Sequence, residues 1–269
     1  MMDEKKTQAR LLDSATDQAL ILTVIGAGTI LPMAGRSPSC HLLRSGGTAI
    51  VFDLGPGALA RLAIAGLDYR ELDTVFISHL HPDHALDLVT LLQATNATPG
   101  WSRTRPLFLY GCRGLSAFVG QLLETFRDAV PETYALEIVE LEAGVSHAIG
   151  NATVEAFLTG HTSNSLAFRV TSGGRVFTYS GDAAIVPALA EAAKDADIFL
   201  CEASFLDGAE TDDHLTASQA ARIADAAGVR HLVLTHTYPA TGHEAAMQQA
   251  QALFAGTITL AVDGTEVRC

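Results

Sequence analysis

Three imidazoles and one carboxylate fall within six positions, His79-Leu80-His81-Pro82-Asp83-His84, directly after the apolar run Thr74-Val75-Phe76-Ile77. Imidazole nitrogen and carboxylate oxygen are the ligands that borderline divalent metals take, zinc foremost. On an extended segment His79 and His81 point the same way and can share one metal. Asp83 and His84, beyond the turn that Pro82 favours, can face a second. A polar turn that happens to be rich in histidine is the alternative, but it does not account for so many ligand-type side chains in so short a stretch.

Two metals need more ligands than this hexapeptide holds. The polar residues that close other apolar runs supply them. His161 follows Ala156-Phe157-Leu158-Thr159-Gly160, Asp182 follows Phe177-Thr178-Tyr179-Ser180-Gly181, and His236 follows Leu232-Val233-Leu234-Thr235. Each falls where a strand reaches the edge of its sheet, where binding and catalytic residues collect. The expected grouping is His79, His81 and His161 on one ion and Asp83, His84 and His236 on the other. Asp182 can bridge the two with its two oxygens, and ions bridged in this way lie about 3.5–4 Å apart. Any one of these residues alone reads better as a solvated turn residue; the ligand count of the whole set reverses that and carries the metal reading.

The elements that must position them are short. Apolar, β-branched runs predict strands over 20–25, 48–53, 74–77, 106–110, 135–141, 152–158, 165–170, 175–180, 198–201, 231–235 and a last one over 257–261. Helical patterns cover 54–65 after a Gly-Pro-Gly turn, then 87–94, 115–126, 187–193, 216–227 and 244–254. The stretch 26–39 is a turn-rich loop. Strands come in runs and later alternate with helices, which suits two mixed sheets packed face to face with helices outside. Residues 1–18 read as a frayed or weakly helical lead-in, and 19–269 as a single domain.

The chain has 269 residues, 48% of them apolar, enough for a large core. It carries 17 Lys and Arg against 30 Asp and Glu, a formal net charge of −13. The scattered cations count against an extensive nucleic-acid interface, which needs a basic stripe. Cys40, Cys112, Cys201 and Cys269 show no paired short spacing, so a reducing, cytoplasmic setting is expected. Residues 1–18 lack the continuous apolar stretch of a signal peptide, and no run of 18 apolar residues suggests a membrane span.

The string Phe76-Ile77-Ser78-His79-Leu80-His81-Pro82-Asp83-His84, with His161, Gly181-Asp182 and Thr235-His236, resembles the metallo-β-lactamase superfamily of metal-dependent hydrolases. The resemblance runs from about residue 20 to the C-terminus. It implies a four-layer αββα sandwich with two divalent ions at one edge, zinc by ligand type, with manganese or iron also compatible. Asp53, in Val51-Phe52-Asp53-Leu54-Gly55, matches an early aspartate that supports the metal loop rather than binding metal.

Two further strings point to one branch. Cys201-Glu202-Ala203-Ser204-Phe205 and His214-Leu215-Thr216-Ala217-Ser218-Gln219 resemble the ribonuclease Z branch, which also holds phosphodiesterases and some arylsulfatases. There the glutamate and the histidine form a pair near the metals, so Glu202 orients His214 and His214 faces the scissile group. Thr216-Ala217-Ser218-Gln219 is also a capping box, which explains Thr216 and Gln219 but neither His214 nor Glu202. The branch frequently forms dimers, so a homodimer is implied.

The implied reaction is attack on a phosphoryl centre by a metal-bridging hydroxide that Asp83 aims, with Glu202 and His214 assisting the leaving group. An arylsulfatase, lactonase or thioesterase using the same ions is the first alternative, tRNA 3′ processing the second, and a non-catalytic metal-binding scaffold the third. Ribonuclease Z enzymes commonly hold tRNA with an arm inserted between the positions of His161 and Asp182. Here that stretch reads as a plain hairpin around Ser172-Gly173-Gly174. The expected substrate is therefore a small phosphodiester or related ester. Ser163 and Asn164, beside His161, are candidate substrate contacts. Arg36, Ser37 and Ser39 lie near the mouth by resemblance, and Trp101 either walls the substrate or covers the core. His41, His147, His231 and His243 complete no metal set.

Overall fold

Fourteen short strands in two sheets form the centre of the computed structural model, which describes residues 19–269. The lead-in expected over 1–18 lies outside the described residues. The first sheet holds β1 (Ile21–Gly26), β2 (Cys40–Ser45), β3 (Thr48–Phe52), β4 (Thr74–Ile77), β5 (Leu107–Gly111), β6 (Leu136–Glu140) and the last strand, β14 (Thr265–Arg268), in the order β14-β1-β2-β3-β4-β5-β6. The second holds β7 (Ser146–Ile149), β8 (Ala152–Leu158), β9 (Leu166–Ser172), β10 (Arg175–Tyr179), β11 (Ile198–Glu202), β12 (His231–Thr235) and β13 (Thr257–Leu260), in the order β13-β12-β11-β10-β9-β8-β7. Both sheets are mixed. β3 to β6 run parallel, as do β10 to β13, and the remaining pairs are antiparallel, including β1 with the last strand, β14.

The inner faces of the two sheets meet in an aromatic core. Phe52 lies 5.5 Å from Phe76, 5.5 Å from Phe168 and 5.7 Å from Phe177, centroid to centroid, in tilted packing that suits aromatic quadrupoles. Helices α1 (Ala58–Ile64), α2 (Pro82–Ala85), α3 (Leu88–Ala97) and α4 (Leu115–Thr125) belong to the first half of the chain. Of these, α1, α3 and α4 bury Leu62, Leu92 and Val119 on the outer face of the first sheet. The helices α5 (Pro187–Ala192), α6 (Ala217–Ala226) and α7 (His243–Gln251) cover the second with alanine-rich faces. The four-layer αββα sandwich is thus the observed architecture. Among the described residues no helix is long and apolar enough to cross a membrane.

Three strands escape the periodicity argument. β2 is interrupted by His41 and Arg44, β7 is half exposed, and β14 alternates exposed Glu266 and Arg268 with buried Val267. For β2 a signal existed: Gly46-Gly47, both at positive φ, is the two-residue hairpin turn joining it to β3. A one-turn helix, α2, also stands inside the metal-ligand cluster, where a simple turn is expected. Pro82 at its first position presets φ for helix, and the His81 carbonyl accepts from the His84 and Ala85 N–H groups.

Candidate metal centre

The C-terminal ends of β3, β4, β8, β10, β11 and β12 open at one edge of the sandwich, the usual place for sites in sheets with parallel strands. Asp53 follows β3, Ser78 to His84 follow β4, His161 follows β8, Asp182 follows β10, Glu202 ends β11 and His236 follows β12. Two backbone bonds hold the sheets together at this edge: Leu166 N–H donates to the Ser78 carbonyl at 3.0 Å, and His236 N–H to the Ala27 carbonyl at 3.1 Å. The loop after β3 lies so close to the metal loop that a Cβ on Gly55 would stand 2.1 Å from the Asp83 carbonyl oxygen.

All seven sequence-predicted ligands converge there. His79 Nε2 lies 3.0 Å from His81 Nδ1, which lies 3.2 Å from His161 Nε2. Asp182 Oδ2 completes this group, 3.6 Å from His79 and 3.8 Å from His161. Asp182 Oδ1 turns the other way, 3.3 Å from His84 Nε2 and 3.5 Å from His236 Nε2. Asp83 Oδ2 closes the second group, 3.4 Å from His236 and 3.8 Å from His84. Metal–nitrogen bonds of about 2.0–2.1 Å in a tetrahedron put neighbouring ligand atoms about 3.3 Å apart, close to the spacing seen. His84 Nε2 and Asp182 Oδ1 are buried without a hydrogen-bond partner. Buried polar atoms rarely lack partners, and both of these point into the second group. The donor set therefore fits two divalent cations.

The remaining ring nitrogens are fixed from behind. Asp53, fully buried and at φ 58°, accepts from Ser78 N–H at 2.7 Å, Ser78 Oγ–H at 2.8 Å, Tyr179 O–H at 2.7 Å and His84 Nδ1–H at 2.7 Å. That last bond leaves His84 Nε2 facing the second group, the tautomer a ligand needs. His161 Nδ1–H donates to the Asp213 carbonyl at 2.9 Å, freeing its Nε2 in the same way. His236 is held at φ 52°, a conformation a non-glycine residue adopts only where its surroundings dictate it. Burial alone would raise the Asp83 carboxyl, but its hydrogen bond with His236 and the nearby His84 hold it below the usual range. Burial likewise opposes charge on Asp182, yet His236 and His84 hold it well below.

Glu202 and His214 form the expected pair. Glu202 Oε1 accepts from His214 Nδ1–H at 3.0 Å and from Ala183 N–H at 2.7 Å, so the carboxylate also steadies the loop that carries Asp182. Burial works against charge on His214, but the hydrogen bond and charge of Glu202 outweigh it, and its pKa is raised to about 9. His214 stands at the rim of the second group, where it converges with Asp182 and His236. The capping box is present too: Thr216 Oγ1 accepts from Gln219 N–H at 3.2 Å while Thr216 N–H donates to Gln219 Oε1 at 2.8 Å. Capping and the acid–histidine pair coexist on one segment.

Other candidates fare differently. Asn164 does not present a free amide: its Nδ2 donates to the Arg113 carbonyl at 2.6 Å. With Ser163 it lines a depression of about 230 Å³ beside Arg113 and Leu158. Arg36 is buried, and its early loop is clamped where Asp263 accepts from the N–H groups of Ala27 and Ser37. Trp101 packs edge-on against Tyr69 on the outer helical layer, away from the mouth. His147 packs near Tyr110 and His231 bonds Thr259. His41 lies fully buried under the site, edge-on to Tyr179. Three residues at the site drew no role from the sequence: Ser78, Tyr179 and Ser204. Both serines stand inside strings already notable for their neighbours; Tyr179 is an inward position of an ordinary strand and gives no signal.

A family model described as a beta-lactamase superfamily domain matches residues 48–237, which span every ligand position above. The chain belongs to the metallo-β-lactamase superfamily, in its ribonuclease Z-like branch. The Mycobacterium tuberculosis protein Rv1339 is 31% identical over 258 residues, covering 93% of this chain and 92% of its own. Ribonuclease Z of Methanosarcina mazei is 28% identical over 272 residues, covering 81% and 87%. Among solved structures, the metallo-beta-lactamase fold protein YhfI from Bacillus subtilis superposes with a TM-score of 0.81 at 25% identity, covering 94% of this chain and all of the other. The chain is accordingly a hydrolase of this superfamily, with a histidine–aspartate cluster suited to divalent metal.

Proposed function

We propose that this hydrolase cleaves small phosphodiesters with the help of two divalent cations. His79, His81 and His161 would hold one, Asp83, His84 and His236 the other, and Asp182 would serve both. Such ions, when bound, act as Lewis acids toward phosphoryl oxygens and acidify water. Zinc suits this ligand set, and manganese or iron are compatible with it. The observation that carries the reading is the position of His214, an imidazole backed by a buried carboxylate and placed at the rim of the ligand cluster.

The protein's own groups have distinct tasks in this reading. Asp83 lies at the edge of the second group and accepts a hydrogen bond from the attacking water, aiming it. His214, with Nδ1 held by Glu202, offers Nε2 to the leaving oxygen and supplies its proton. Phosphodiesters call for both tasks, because the leaving alkoxide is a strong base. Ribonuclease activity in a 28% identical relative supports phosphodiester chemistry. The net charge of −13 and the tight β9–β10 turn between His161 and Asp182 support a small substrate over tRNA. Four unpaired cysteines fit a cytoplasmic setting.

A panel of bis(p-nitrophenyl) phosphate, an aryl sulfate, a lactone and a thioester, assayed with zinc, manganese and iron, tests the reading. The diester should be hydrolysed most efficiently. Turnover of the lactone or thioester alone would overturn it.

A further inference from the structure

Glu202 ends β11, His236 follows the neighbouring β12, and a single hydroxyl joins them. We propose that Ser204 is a positioning residue that sets the tautomer of His236 and ties the Glu202–His214 pair to the second ligand group; this rests on the two-metal phosphodiesterase reading above. Ser204 is fully buried just beyond β11. Its Oγ lies 2.6 Å from Glu202 Oε2, 3.1 Å from His236 Nδ1 and 3.3 Å from His214 Nδ1.

A serine hydroxyl has one proton and two lone pairs. The Glu202 carboxylate can only accept, so at 2.6 Å it takes the proton; the His236 carbonyl, at 3.1 Å, is the longer alternative. With its proton committed, Oγ can only accept from the two imidazoles. His236 Nδ1 must then carry hydrogen in either charge state, so in the neutral ring Nε2 is the bare nitrogen, and it faces Asp83 and Asp182, where a bound cation would take its lone pair. The His214 Nδ1–H is shared between Ser204 and the nearer Glu202 Oε1 at 3.0 Å. Glu202 and His236 are 1% and 2% exposed, so bulk water does not reach these atoms to replace the hydroxyl. Ser78 stands in a comparable place across the site. It donates to Asp53 at 2.8 Å and lies 3.1 Å from His79 Nδ1.

The test compares Ser204→Ala and Ser204→Thr with the wild type. The first measurement is competition for zinc with a chromogenic chelator. The second is the nitrogen-15 shifts of the His236 ring in the zinc-loaded protein. The third is the ratio of kcat/KM for a diester with an aryl leaving group to one with an alkyl leaving group. Ser204→Ala should hold its weaker zinc at least ~10-fold less tightly, in the range that loss of a ligand's supporting hydrogen bond produces. It should blur the His236 Nδ1–H signature, and raise the aryl-to-alkyl ratio about 10-fold or more, because phenolates leave without a proton. Ser204→Thr, which keeps the hydroxyl, should restore all three. Ser204→Cys, similar in size but a weak hydrogen bonder, takes the place of the alanine variant if that does not fold. Wild-type zinc competition and an unchanged ratio in Ser204→Ala, or losses that Ser204→Thr does not restore, would overturn the proposal. A wild-type protein that hydrolyses no diester would instead overturn the parent reading, while the zinc and nitrogen-15 measurements would still judge Ser204.

Discussion

Most side chains at this site are defined by which of their polar atoms is already taken. Asp53 takes Nδ1 of His84, a backbone carbonyl takes Nδ1 of His161, and Glu202 takes Nδ1 of His214. What remains faces the cleft. For His214 this predicts a selective loss: His214→Ala should slow cleavage of an alkyl diester by about 10²–10⁴-fold, the usual worth of general acid catalysis. Cleavage of a p-nitrophenyl diester should fall far less; equal losses on both, measured as kcat/KM, would remove the proton-donor role. His41 is the opposite case, an imidazole with both nitrogens buried and unpartnered. Burial, then the neighbouring His84 and His236, lowers its pKa to about 3. The folded state therefore keeps His41 neutral, while the unfolded chain protonates it below pH 6.5. Its contribution to stability is whole above that pH and declines by about 1.4 kcal/mol per unit as pH falls toward 3. In metal-free protein, His41→Phe should flatten the fall in urea-unfolding free energy between pH 6.5 and 4 relative to wild type; parallel slopes would contradict this.

At the scale of elements, the strands end where the chemistry begins, and a side-chain capping box starts α6 just beyond His214. Thr216 closes the capping box and also donates to Asp207 at 3.1 Å, two residues after His214. Thr216→Ala should cost about 0.5–2 kcal/mol in denaturant unfolding, typical of a lost N-cap. Zinc stoichiometry should stay at the wild-type level, because no proposed ligand sits on α6. Loss of zinc in that variant would show that the cap, not the strand ends, positions the ligands.

For the whole molecule, the ligands come from both sheets: His79 to His84 from the first, His161, Asp182 and His236 from the second. Cations held there would fasten the two halves together and stabilise the folded state by mass action, about 2.7 kcal/mol when free metal stands at 100 times its Kd. Dialysis against a chelator should thus lower the calorimetric Tm by several degrees, and added zinc should restore it. An unchanged Tm would mean that the cluster binds no metal tightly in solution.

The sequence by itself determined the ligand types, their places at strand ends and the two-sheet architecture. Apolar runs mark strands locally, and a histidine or aspartate closing such a run is visible without knowing its neighbours. The strands that stayed hidden, β2, β7 and β14, are those whose polar residues break the run or face solvent, so their pairing partner rather than their own pattern makes them strands. Only the tertiary structure decided that each oxygen of Asp182 faces a different group, that Asn164 is committed to Arg113, and that Ser78 and Ser204 orient the imidazoles. These depend on contacts such as His236 with Asp83, 153 positions apart in sequence. A hydroxyl's partner is set by which atoms lie within 3 Å once the sheets have packed, and no local pattern encodes that distance.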